Sequence, residues 1–130
     1  MLPMRRSRLE AVMQNHKLIQ PAHLNHYGFL FGGNMLKWVD EYGYIAACSE
    51  FPGRRFVTRS MENLNFKESV RVGEILVFET RRVHLGISSI GYEVSVMRAS
   101  QLQDLDKETI FETRIFYVCV DENGGKHPIR

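Results

Sequence analysis

The stretch "NHYGFLFGGNMLKWVDEYGYIAA", residues 25 to 47, decides the fold because it joins a turn-rich loop to the strongest helical pattern in the chain. Apolar and small side chains recur there at helical spacing and predict a helix from Gly33 to about Ser49. One face of this helix carries Leu36, Asp40, Gly43 and Ala47. The "FPG" at residues 51 to 53 then ends the helix, since proline and glycine interrupt helical hydrogen bonding.

Strand-forming residues dominate the rest of the chain. The segments at 56–66, 75–83, 87–99 and 109–120 predict four antiparallel strands, with residues 101–108 as a polar hairpin loop. The last segment is mostly apolar, which predicts an interior strand. Residues 16–24 predict a short edge strand that Pro21 breaks. One helix on a curved antiparallel sheet of about five strands is an α+β architecture.

The chain length predicts one domain over residues 1–130, with an N-terminal arm to about residue 15. The turn-rich end, residues 121–130, predicts a mobile tail. One helix cannot cover a five-stranded sheet, so we expect a second copy of the chain to cover part of it.

Composition excludes several classes of function. A net charge of +2 is too small to indicate nucleic acid binding, and no apolar run suits a signal peptide or a membrane helix. Cys48 and Cys119 have no CxxC partner, which favours two reduced thiols in the cytoplasm over a zinc site. With no metal-ligand cluster or phosphate loop, we expect no metal and no cofactor.

The residues themselves point to a candidate site around Asp40. A carboxylate in an apolar stripe is costly unless it is paired or faces a cavity, so Asp40 is either a general base or a structural group bonded to a strand. Gly32 and Gly33 precede it at a helix N-terminus, whose N–H groups can stabilise an oxyanion, although two glycines can also merely turn the chain. Asn25, beside His23 and His26, is either a turn residue or a functional one.

The same stretch resembles the signature of the hotdog-fold acyl-CoA thioesterases, in the acyl-CoA hydrolase branch. The matching positions are Asn25, Gly28, Phe31, Gly32, Gly33, Asp40, Glu41, Gly43 and Ala47. Downstream, residues 57–74 and 84–96 are also similar to that branch, so the resemblance covers about residues 21–120. Ser69 and Glu74 depart from the proline and aspartate that are common in the family, at positions in structural turns.

The resemblance implies the hotdog fold and hydrolysis of an acyl-CoA thioester. It implies that Asp40 acts as a general base or a nucleophile, with Asn25 of the partner subunit orienting water or substrate. It also implies that the backbone N–H near Gly33 holds the oxyanion. The expected assembly is a homodimer, with a hexamer built as a trimer of dimers. Acyl-chain preference does not follow from the sequence.

Substrate-binding residues are predicted more broadly. The resemblance favours Gly86, Ser88 and Ser89 along the coenzyme A path, and Gly32 is a further substrate-binding candidate. Arginines are either cations for the coenzyme A phosphates or ordinary surface charges. Those arginines are Arg54, Arg55, Arg59, Arg81 and Arg82. Candidates for an acyl pocket, or alternatively for plain core, are Phe29, Leu30, Phe31 and Tyr42. Two alternatives on the same fold are a non-catalytic acyl-CoA-binding protein and a dehydratase that uses a histidine.

Overall fold

The computed structural model describes residues 11–101 and 109–130. In these ranges one long helix, α1 (Gly32–Glu50), accompanies five strands. The strands are β1 (Met13–Leu18), β2 (Arg55–Phe66), β3 (Ile75–Leu85), β4 (Ser89–Arg98) and β5 (Phe111–Val120). They form a single antiparallel sheet in the order β1-β3-β4-β5-β2. The predicted α+β hotdog architecture is thus confirmed.

Helix α1 forms where the sequence predicts it, and its ends differ by one residue from the prediction. Phe31 is the N-cap, with extended backbone angles, so the helix begins at Gly32. After Phe51, Pro52 follows, and Gly53 has a φ of +83°, a conformation that suits glycine and prevents continuation of the helix. The face turned to the sheet consists of Met35, Trp38, Val39, Gly43, Ala46 and Ala47.

The core lies between α1 and the concave face of the sheet. Four aromatic side chains there are wholly buried, namely Phe78, Tyr92, Phe111 and Tyr117. Strand β5 has neighbours on both sides, which confirms the predicted interior position of this apolar segment, while β4 occupies the middle of the sheet. Burial of aromatic side chains of this size supplies a large part of the free energy of folding.

The two edges of the sheet are β1 and β2. The predicted edge strand is β1, but it begins at Met13 and ends before Pro21, which starts a short 3₁₀ turn. Residues 13–15, assigned to the arm by the sequence, therefore belong to the sheet because they pair with β3. The rest of the arm to residue 10, and most of the predicted 101–108 loop, lie outside the described residues.

Strand β2 is the longer edge, with 12 residues and an irregular register. Val57, Leu64 and Phe66 are each about half exposed, at 47%, 49% and 50%. An edge of this length with exposed apolar side chains is a surface that other proteins cover by pairing with a second chain.

The C-terminal segment folds back onto the sheet, and its contacts differ from those expected of a mobile tail. Asp121 Oδ1 accepts hydrogen bonds from the backbone N–H groups of Asn123 and Gly125, both at 2.9 Å, and this closes a tight turn. The chain then returns along β5, and the Ile129 side chain is 1% exposed in the core. Arg54 Nε donates to the Ile129 carbonyl at 2.6 Å. Turn-forming residues here make a hairpin that returns an apolar anchor to the core.

Replacing Ile129 by Ala is expected to lower the free energy of unfolding by about 2–4 kcal/mol, the usual cost of truncating a buried isoleucine. Urea denaturation of the purified protein measures the change. Glu122→Ala, an exposed position in the same segment, is the matched control and should stay within about 0.5 kcal/mol of the parent. An equally small effect for both variants would restore the interpretation of this segment as a mobile tail.

Candidate active site

Asn25 organises the loop that leads into α1. Its side-chain Oδ1 accepts hydrogen bonds from the backbone N–H of Tyr27 at 2.9 Å and of Phe29 at 3.1 Å. Gly28, between them, has a φ of +88°, which the turn requires. Because these two bonds define Oδ1, the other atom of the amide, Nδ2, is a donor, and it has no acceptor among the described side chains and backbone.

The loop is tied to the start of the helix. The carbonyl of His23 accepts hydrogen bonds from Asn34 Nδ2 and from the backbone N–H of Phe31, both at 3.0 Å. The His23 ring packs edge-on against Trp38, with 4.9 Å between ring centroids. His26 instead lies exposed against the Tyr27 ring. His23 is therefore a structural residue of this loop.

The N-terminus of α1 faces a cavity of about 400 Å³, called here the Asn25 cavity. No side chain caps this end of the helix in the described part of the chain. The first N–H groups of a helix lack internal acceptors and carry partial positive charge. A Cβ added to Gly33 would meet no atom within 4 Å, so the backbone there is open to a ligand. The cavity is lined by Asn25, Phe29, Leu30, Gly32, Met35, Phe66, Lys67, Glu68, Ser69 and Val70.

Asp40 is half-buried and hydrogen-bonded, rather than buried and unpaired as its place in the apolar stripe suggests. Its Oδ1 accepts from Thr58 Oγ1 at 2.7 Å and from Tyr117 Oη at 3.3 Å. The same tyrosine hydroxyl lies 2.7 Å from the Asp40 backbone carbonyl. Oδ2 has no donor among the described protein groups. Asp40 borders a groove of about 460 Å³, the Asp40 groove, lined by Lys37, Asp40, Glu41, Tyr44, Phe56, Val57 and Thr58.

The two hydroxyl partners of Asp40 are residues that the sequence reasoning missed. Thr58 lies 18 positions along the chain and Tyr117 lies 77 positions along it. The available signal was strand alternation, which places Thr58 on the same face of β2 as the apolar Phe56. Burial, followed by the charge and hydrogen bond of Asp40, raises the pKa of Tyr117 far above its ordinary value, so the hydroxyl stays protonated and donates.

Within one chain, Asn25 and Asp40 belong to different sites. The Asn25 cavity and the Asp40 groove share no lining residue. Gly32, at the start of the helix, is eight residues before Asp40, which corresponds to roughly 12 Å along the helix axis. The two spaces are therefore separate within one chain.

The predicted coenzyme A residues lie where β3 turns into β4 and line neither of these two spaces. Gly86 and Ser88 are in the turn, and Ser89 is the first residue of β4. Ser89 Oγ lies 2.8 Å from His84 Nε2. A Cβ at Gly86 would lie 2.7 Å from that serine oxygen, which explains the glycine.

The predicted arginines divide into engaged and exposed groups. Arg81 is buried and pairs with Glu79 at 2.6 Å, and Arg82 contacts Glu50 at 3.3 Å, so neither is directed to a phosphate in this chain. Their carboxylate partners favour the alternative in which these two arginines are ordinary charged residues. Arg59 is exposed on β2. Arg54 and Arg55 are exposed beside the C-terminal segment.

The candidate acyl-pocket residues also divide. Phe29 and Leu30 line the Asn25 cavity, whereas Phe31 is 53% exposed and does not. Tyr42 packs on the core at 5.0 Å from the Phe78 ring, which supports the interpretation as core. Cys48 and Cys119 are free thiols.

Over residues 11–101 and 109–130, His, Cys, Asp and Glu side chains form no group of three that could bind a metal ion. In the same ranges, no helix has both the length and the apolar character that crossing a bilayer requires.

Known proteins share this geometry. The thioesterase superfamily model matches residues 27–104. The acyl-CoA thioester hydrolase of Salmonella typhimurium is 32% identical over 114 residues, which are 86% of this chain and 85% of that protein. The acetyl-coenzyme A thioesterase of Mus musculus is 29% identical over 68% of this chain, but the match spans only 16% of that longer protein.

Solved structures agree with these relatives. A hexameric thioesterase from Yersinia pestis superposes with a TM-score of 0.77 at 27% identity, over 95% of this chain and 97% of that one. A hexameric broad specificity acyl-coenzyme A thioesterase superposes with a TM-score of 0.76 at 26% identity, over 97% and 84% of the two chains. With its family model, its relatives and its fold in agreement, this chain belongs to the thioesterase superfamily.

Proposed function

We propose that the protein is an acyl-CoA thioesterase in which Asp40 activates the water that cleaves the thioester. The observation that carries the proposal is the arrangement of the Asp40 carboxylate. Two hydroxyl groups bind Oδ1, while Oδ2 remains for chemistry beside a groove. The relatives named acyl-CoA thioester hydrolases support the substrate class.

The reaction follows from these groups. Asp40 Oδ2 takes a proton from water as the water oxygen bonds to the thioester carbonyl carbon, which produces a tetrahedral oxyanion. The N–H groups at Gly32 and Gly33 stabilise the oxyanion through hydrogen bonds and the helix dipole. The C–S bond then breaks, and the coenzyme A sulfur leaves as a thiol after receiving the proton. Direct attack by Asp40, through an anhydride that water hydrolyses, is the alternative role of the same residue.

Asn25 contributes a donor to this reaction. Its Oδ1 is occupied by the loop, so Nδ2 is the atom that orients the water or the thioester oxygen. Asn25 and Gly33 belong to one half-site, and Asp40 belongs to the other. A complete site therefore combines the Asn25 cavity of one protomer with the Asp40 groove of its partner.

Strand β2 offers the route by which the two half-sites meet. Antiparallel pairing of two β2 edges about a two-fold axis puts the start of one strand beside the end of the other. The start carries Thr58, next to the Asp40 groove, and the end carries Phe66, a wall of the Asn25 cavity. The half-exposed Val57 and Leu64 become covered in such a dimer.

The hexameric structural relatives support the assembly of three such dimers into a hexamer. In that assembly, we keep Arg59, Gly86, Ser88 and Ser89 as candidates for contact with coenzyme A from a neighbouring subunit. The decisive experiment for the proposed function is a panel of acyl-CoA substrates, with the released thiol measured continuously. No thiol release from any member of the panel would favour a non-catalytic acyl-CoA-binding protein.

Asp40→Asn is expected to lower turnover by roughly 10²–10⁴, the usual value of a positioned general base. Folding should survive because the amide oxygen can still accept from Thr58 and Tyr117. Thiol release and thermal unfolding measure the two effects. Glu41→Gln, in the same groove, is the matched control and should retain activity. Normal turnover by Asp40→Asn would refute the proposed mechanism.

Asn25→Asp and Asn25→Ala are expected to differ in stability and to agree in activity. The aspartate keeps the oxygen that accepts from Tyr27 and Phe29, whereas the alanine loses it and should destabilise the loop by about 0.5–1.5 kcal/mol for each lost bond. Both variants remove the Nδ2 donor and should lower kcat. Urea denaturation and thiol release check the pair. An active Asn25→Asp variant would assign the residue a structural role alone.

Mixing Asp40→Asn subunits with Asn25→Asp subunits is expected to restore about one quarter of the parent activity. Half of the dimers formed at random are mixed, and each mixed dimer has one intact site of two. Thiol release by the co-refolded mixture measures the recovery, and mixed dimers purified through two different tags should reach about one half of the parent activity. Mixed dimers without activity would show that the site is formed within one chain.

A further inference from the structure

We propose that Tyr117 is a positioning residue that fixes the orientation of the Asp40 carboxylate, a role that rests on the proposed function of Asp40. Tyr117 lies on β5 directly beneath α1 and is 0% exposed. Its hydroxyl is 2.7 Å from the Asp40 carbonyl oxygen and 3.3 Å from Oδ1. One hydroxyl thus contacts both the backbone and the side chain of the same helical residue.

Gly43 makes this contact possible. A Cβ at this position would lie 2.4 Å from Tyr117 Oη and 3.1 Å from Ile115 Cγ2, both far inside normal contact distance. The glycine follows Asp40 by three residues, on the helix face that packs on β5. Because Gly43 has no side chain, the Tyr117 hydroxyl can reach the helix backbone.

The two oxygens of the Asp40 carboxylate have different hydrogen-bond partners. The Thr58 hydroxyl, on β2, donates to Oδ1 at 2.7 Å. The single proton of the Tyr117 hydroxyl, on β5, is shared between the Asp40 carbonyl at 2.7 Å and Oδ1 at 3.3 Å. Because burial and the neighbouring carboxylate keep Tyr117 protonated, its hydroxyl donates and does not act as a base. Rotation of the carboxylate about its Cβ–Cγ bond would break both contacts, so Oδ2 is held as the oxygen that faces water.

Other titratable groups surround Asp40 but do not replace this contact. Lys37, Glu41 and Tyr44 of α1 line the same groove, whereas the β2 side chains that line it, Phe56, Val57 and Thr58, carry no charge. On the sheet side, the Tyr92 ring lies 6.5 Å from the Tyr117 ring, and its hydroxyl is directed to Glu50. Tyr117 is therefore the titratable group of the sheet that contacts Asp40.

The test replaces Tyr117 by Phe and measures kcat and KM for thiol release, together with the fraction of folded protein. We expect kcat per folded protomer to fall by roughly 10- to 100-fold, the usual consequence of a misoriented catalytic group, with KM nearly unchanged. A purely structural role would reduce the amount of folded protein and leave kcat per folded protomer unchanged.

Tyr92→Phe is the matched control. It removes an equally buried hydroxyl from the neighbouring strand, where the hydroxyl donates to Glu50 at 2.6 Å near the end of α1. It should lower the unfolding midpoint as Tyr117→Phe does, and it should leave kcat per folded protomer unchanged. Equal kcat values for the two variants would overturn the proposal.

Gly43→Ala provides a second, independent variant. Its methyl group displaces the Tyr117 hydroxyl, so it should lower kcat per folded protomer with Tyr117 still present. If Tyr117→Phe does not fold, a parental kcat in Gly43→Ala overturns the proposal. Asp40→Asn separates the two levels of inference. An active Asp40→Asn variant would refute the proposed function. An inactive Asp40→Asn variant together with parental kcat in Tyr117→Phe would refute only the role of Tyr117.

Discussion

The close packing of α1 on β5 is the constraint on which the rest of the structure depends. Gly43, Ala46 and Ala47 present almost no side chain toward the sheet, so the helix backbone lies close to the strand. That closeness brings the helix within hydrogen-bonding distance of the Tyr117 hydroxyl. A larger side chain at Gly43 would separate the two layers and disturb core and site together.

The same helix serves two chemical purposes along its length. Its first turn presents unsatisfied N–H groups and partial positive charge, which suit a developing oxyanion. Its third turn presents Asp40, which suits the removal of a proton. A helix rises about 1.5 Å per residue, so the eight residues from Gly32 to Asp40 separate the N–H groups from the carboxylate by roughly 12 Å. This distance is too long for both groups to contact one carbonyl. In the proposed function, pairing of two β2 strands brings the first turn of one helix near Asp40 of the other.

Two loops of the protein use the same physical device. Asn25 Oδ1 and Asp121 Oδ1 each accept hydrogen bonds from the backbone N–H groups two and four residues later. For Asp121, the bonds from Gly125 and Asn123 lower the pKa of the carboxyl group. In each case one side-chain oxygen takes the place of a backbone acceptor and orders a short turn-rich segment. The Asn25 loop places an amide donor beside the Asn25 cavity, and the Asp121 loop places the Ile129 side chain in the core.

The sequence by itself determined the local features of this protein. Helical and alternating periodicities report on neighbours three, four or two residues apart, so α1, the strands and the apolar β5 followed from the pattern. Asp40 and Asn25 were recognisable because a carboxylate in an apolar stripe and a short signature are local too. Tertiary structure alone decided what those residues touch. The hydroxyls of Thr58 and Tyr117, the carboxylate partners of Arg81 and Arg82, and the return of Ile129 all depend on strand order and register. Such contacts join residues far apart in the chain, and no pattern of near neighbours encodes their distance.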